Sequence, residues 1–170
     1  MERIIEEYIQ TLIKENDLLD KLLELGEEKK QIIILGKIQE LDKLIQKESI
    51  TASNLERTEN ARFKLHVQIA QRWEMPAEEL TAGTLIEKSQ ASQPLFTDQL
   101  KQEIEHMGTT INRLREINRE NNELIGMSLE YIDNMQSILI GDLAGTYSEK
   151  GTQASENNSR PAFKILDKKA

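Results

Sequence analysis

No cysteine occurs among the 170 residues, which removes a disulfide scaffold, a thiolate metal site and a cysteine nucleophile together, and fits a reducing compartment. Proline (three) and glycine (eight) are scarce. Most of them gather between Pro76 and Pro94 and after Gly141, so the chain is expected to break there and to be helical elsewhere. The longest apolar run, Ile32 to Leu35, is far below the roughly 20 residues that a membrane-spanning helix needs. The start, Met1-Glu2-Arg3, has neither the basic nor the apolar region of a signal peptide. A cytoplasmic chain without membrane insertion is the expectation. A surplus of positive charge is also missing: the net charge is -8, which repels nucleic-acid phosphates and anionic headgroups and leaves proteins as partners. No glycine-rich phosphate loop, Gly-x-Ser-x-Gly turn or Cys/His pair appears, so neither an enzyme nor a cofactor site is expected.

What is abundant points to helix. Charged residues make up 31% and aromatics 4%, with Leu, Ile, Glu, Lys and Gln recurring, the mix of long solvated helices or coiled coils. Ile5, Tyr8, Leu12, Leu19 and Leu22, with Ile9 and Leu23 beside them, form one helical stripe. It weakens at Gly26, and Gly36 marks a turn. Ile38, Leu41, Ile45, Ala52, Leu55, Ile69 and Trp73 form a second stripe in heptad phase. Glu48, Glu59, Arg62 and His66 share that phase, which predicts a seam opened to solvent with Glu59 and Arg62 paired at i and i+3. Pro76 stops this helix by Met75. Pro76 to Leu80 predicts one helical turn, Thr81 to Glu87 a capped second turn, and Ser89 to Pro94 a polar connector. Leu100, Ile104, Met107, Ile111, Leu114, Asn118, Asn121, Ile125, Ser128, Ile132, Met135 and Leu139 then keep heptad register over about 45 residues, roughly 65 Å of helix.

The expected fold class is therefore all-α: an elongated antiparallel bundle or coiled coil of three long helices (about 2–35, 37–74 and 95–143), with short helical turns in a 75–94 loop. Residues 1–143 make the bundle domain. Residues 144–170, poor in apolar side chains, are expected to be a flexible tail. Within it Phe163, Ile165 and Leu166, set among lysines, are a candidate docking segment over 162–168.

The third helix changes character along its length. Ile104 to Glu123 holds five large apolar residues, whereas Leu124 to Leu143 holds eleven, more than one buried face requires. The surplus either completes the protein's own core or offers a groove for a partner's helix. Met127 and Met135 suit the second use, because unbranched, polarisable side chains repack around different surfaces. The candidate partner-binding residues are Leu124, Ile125, Met127, Leu129, Tyr131, Ile132, Met135, Ile138, Leu139 and Tyr147. Glu103 with His106 matches half of a two-metal Glu-x-x-His site, but Phe63 stands where a pair with His66 needs its glutamate, so no metal centre is expected.

Asn118-x-x-Asn121-x-x-Leu124-Ile125 followed by Leu129-x-Tyr131-Ile132 resembles the signature of the FlgN-type flagellar export chaperones. Lys29-Lys30, Ile38 to Glu48 and Glu59-x-x-Arg62 are similar to that family's first two helices, Met75 to Ile86 to its inter-helix loop, and Tyr147-x-x-x-Gly151 with Leu166 to Ala170 to its tail. The resemblance implies a cytosolic chaperone that binds C-terminal helical regions of the hook-filament junction (hook-associated) proteins. It would prevent their premature assembly and deliver them to the flagellar type III export gate. It also implies Tyr131 and Tyr147 as contacts for export gate components. The competing reading is a self-associating structural coiled coil with no export role; the open seams also admit a weak homo-oligomer.

Overall fold

A computed structural model describes the backbone of residues 1–145 and the side chains of residues 1–137. Among the described residues every regular element is helical: α1 (Glu2–Ile34), α2 (Ile38–Arg72), a 3-10 turn (Ala77–Glu79), α3 (Ala82–Ser92) and α4 (Pro94–Gly145). By its internal contacts the chain divides into two units, Met1–Glu130 and Tyr131–Ala170.

The α1–α2 hairpin closes through backbone geometry. Gly36 takes φ +65, its N–H bonds the Ile33 carbonyl, and the Lys37 N–H reaches back to that of Ile32. This is the Schellman arrangement, which satisfies carbonyls left open at a helix end and favours glycine at the left-handed position. The same pattern ends α2, where Glu74 N–H bonds Gln71 and Met75 N–H bonds Ala70. There the left-handed position is occupied by Glu74, at φ 53.

Cross-helix bonds fix the directions. Lys29 meets Glu48 at 2.6 Å and Glu15 meets Arg62 at 2.8 Å, numbers rising on α1 as they fall on α2, so these two run antiparallel. Asn16 meets Glu103, Thr110 meets Asp20, and Asn121 meets Gly26, so α1 and α4 run parallel. Ile5, Tyr8, Ile9 and Leu12 of α1 build the larger core cluster with Ile69, Leu80, Leu85 and Leu100. A smaller one joins Leu25, Ile32 and Leu44.

Two expectations are corrected. The stretch read as a loop of short turns contains a full eleven-residue helix, α3, so the described residues hold four α-helices rather than three. Thr81 caps it by accepting the Thr84 N–H at 3.2 Å, and buried Leu85 anchors it to the main cluster; the short apolar pattern Leu85-Ile86 gave too little periodicity to reveal it. Arg62 is not chiefly a surface partner of Glu59, 3.9 Å away. It crosses to the buried Glu15 carboxylate and donates a second bond to the Tyr8 hydroxyl. Of the charged positions in the heptad phase of α2, Glu48 and Arg62 therefore face polar positions of α1, whereas Glu59 is open to solvent.

Candidate functional site

Past Leu124 the sequence of α4 is rich in apolar residues, and those from Ile125 to Leu129 are exposed because the neighbouring α1 stops. The last bonds between α1 and α4 are Lys30 to Glu120 and Asn121 to Gly26, and α1 ends at Ile34. Leu124 is half-buried. Beyond it, still in the first unit, Ile125, Met127 and Leu129 stand between 38% and 66% exposed. Ile125 and Leu129, four residues apart, share a face, and Met127 points away from it. In the second unit, Tyr131, Ile132 and Met135 are between 42% and 66% exposed, with Tyr131 and Met135 on one face. The side chains of Ile138 and Leu139, and Tyr147, Phe163, Ile165 and Leu166 altogether, lie outside the described residues.

Along the middle of the bundle the apolar members of the α4 heptad stripe, Ile111 and Leu114, do not form its seam with α1. The positions buried there are Thr110, Ile117 and Asn121. Gly26 admits this close approach: a Cβ placed on it would stand 3.1 Å from Ile117 Cγ2. Asn121 donates its amide to the Gly26 carbonyl at 2.9 Å. The stripe proper, with Ile111 and Leu114, instead lines an open trough of about 580 Å³ whose floor is Leu19 and Leu22 and whose other wall is Ala52 and Leu55. A narrower section of about 140 Å³ continues it past Met107 to Glu15, Glu59 and Arg62. The sequence reading placed Ile111 and Leu114 in a heptad stripe and expected the section around Glu59 and Arg62 to open to solvent, which left a closed or an open stripe undecided. The signal that separates the two cases is that α1 already carries two apolar faces, one for each neighbour, and so holds α2 and α4 apart.

The polar groups at the trough's narrow end are tightly arranged. Glu15 is only 2% exposed; loss of hydration pushes its carboxyl above the ordinary range, opposed by the charge and hydrogen bond of Arg62. Lys30 hydrogen-bonds Glu120 and so holds that carboxyl below its usual range. Glu103 accepts from the Asn16 amide at 2.7 Å and His106 stands 3.1 Å from Asp20, so the half-motif for metal is engaged in helix pairing. Among the described residues no three potential ligands converge. No described helix is long and apolar enough to cross a membrane.

A family model described as FlgN protein matches residues 1–155. No curated protein and no solved structure matches the chain. The matched stretch takes in all of α1 to α4 and Tyr147, and it stops short of Phe163, Ile165 and Leu166.

Proposed function

The chain belongs to the FlgN family of flagellar export chaperones, and we propose that it is a cytoplasmic member that holds C-terminal helical regions of hook-associated proteins, blocks their premature assembly and hands them to the export gate. The observation that carries this reading is the exposure of Ile125, Met127, Leu129, Tyr131, Ile132 and Met135 on α4. Side chains of this kind in water cost free energy that a partner's apolar face removes. Five such anchors contribute about 2 kcal/mol each. Ordering the partner helix takes back about 2 to 5 kcal/mol, which leaves a dissociation constant between about millimolar and micromolar. An escort must release its cargo, and that range is reversible. Tyr131, amphipathic and exposed, is the residue here assigned to the export gate.

The test is complex formation with a hook-associated protein from the same organism, read by size-exclusion chromatography. Ile132→Asp together with Met135→Asp is expected to abolish the complex while leaving the helical content intact; a complex of unchanged size and yield refutes the assignment.

A further inference from the structure

The trough between α2 and α4 is unassigned by the reading above, and its charges are polar along its axis. Where it is widest, Lys29 and Arg115 face one anion, Glu48. At the narrow end Glu15 and Glu59 face one cation, Arg62. Lys29 with Glu48 and Glu15 with Arg62 are close pairs, so the surplus is Arg115 at one end and the exposed Glu59 at the other. From Met107 to Asn118 the trough spans about 16 Å, three turns of helix. Its lining between those ends is aliphatic, with Leu19, Leu22, Leu55, Ile111 and Leu114.

We infer that this trough receives a second amphipathic helix of the same hook-associated partner, lying parallel to α4 with its N-terminus at Glu59 and its C-terminus at Arg115. The inference rests on the proposed function for the partner's identity and on the trough alone for the site and the direction. A helix carries partial positive charge at its N-terminus and partial negative charge at its C-terminus, so the end charges favour one orientation and oppose the other. Apolar side chains at i, i+3 or i+4, and i+7 of the incoming helix would meet the aliphatic lining turn by turn. It would complete a four-helix arrangement in which α1 no longer separates two half-covered helices. The exposed Ile125, Met127 and Leu129 lie on α4 just beyond Asn118, so the trough continues a surface already proposed to bind this partner.

Ala52 is exposed and lines the trough, so Ala52→Trp fills it without disturbing the core, which circular dichroism and an unchanged melting temperature verify. Calorimetric titration with the intact hook-associated protein should show binding weakened about tenfold or more. Unchanged affinity for Ala52→Trp, with binding still lost in the Ile132→Asp, Met135→Asp chain, overturns the trough and leaves the proposed function standing. Unchanged affinity in both overturns both. If the free chain is a homodimer that Ala52→Trp dissociates, a second copy fills the trough and the inference fails. Direction is read separately. Because the chain lacks cysteine, a nitroxide can be attached singly through Asn60→Cys or Asn118→Cys. The first should broaden NMR signals from the N-terminal half of the bound partner helix and the second those from its C-terminal half. The reverse assignment overturns the orientation.

Discussion

At Glu15, burial and pairing act in opposite senses on one carboxylate. Desolvation, the larger effect, raises its pKa above the ordinary 4.5, and Arg62 recovers part of the loss. The folded chain therefore binds this proton more tightly than the unfolded chain does. Its contribution to stability is full below 4.5 and falls as pH rises through the raised value. Unfolding by urea at stepped pH should show the wild type losing stability relative to Glu15→Gln over that interval, and the two curves running parallel above it. Glu15→Ala is a harsher change, because it leaves a largely buried guanidinium without its anion; about 2 kcal/mol of destabilisation is expected, less than for a fully buried pair because Arg62 keeps some contact with water. Glu74 offers the opposite case. A non-glycine residue in the left-handed region costs about 1 to 2 kcal/mol, and Glu74 sits at φ 53 at the position Gly36 occupies in the other hairpin end. Glu74→Gly should relieve that strain, less the extra backbone entropy of glycine in the unfolded chain. A net gain of about 0.5 to 1 kcal/mol, read as a raised midpoint of chemical unfolding at unchanged slope, is the expected result.

Between elements, the approach of α1 to α4 depends on the missing side chain at Gly26. Gly26→Val would press two methyl groups toward Ile117, where even one Cβ stands at 3.1 Å, and would disturb the Asn121 bond to the Gly26 carbonyl. Overpacking of this kind costs about 1 to 3 kcal/mol, measurable as a lowered denaturation midpoint with little change in helix content. The sequence showed Gly26 as a gap in a stripe, since periodicity records which positions are apolar but not which helix they meet. For the same reason the long helices and the turn at Gly36 were legible, while the seam was only partly so: Asn121 lay in the heptad stripe and is buried, whereas buried Thr110 and Ile117 lay outside it. The Glu15 to Arg62 contact was hidden because each charge lay in a different helix, and only the antiparallel pairing of α1 with α2 brings them together. The surplus of apolar residues after Leu124 was visible in composition. The exposure of Ile125, Met127 and Leu129 was not, because that depends on where α1 stops.

At the scale of the whole molecule, a division of labour follows from where the buried and exposed apolar side chains fall. Among the described residues every large side chain of the two core clusters belongs to Met1–Glu130, whereas Tyr131, Ile132 and Met135 are exposed. A chain cut after Glu130 therefore gives up none of those core contacts and should unfold as one cooperative transition with a melting temperature within about 4 °C of the full chain, the shift that about 1 kcal/mol produces in a domain of this size. It should nonetheless fail to form the complex with a hook-associated protein, because two of the five anchors assigned to that partner, Ile132 and Met135, are gone and the remaining ones leave too little net free energy after the helix is ordered. Sedimentation equilibrium on the same two chains separates the competing reading. A chaperone predicts a mixed complex that the cut chain does not form. A self-associating coiled coil predicts a homo-oligomer that persists when the hook-associated protein is added, and finding it would remove the export role from α4.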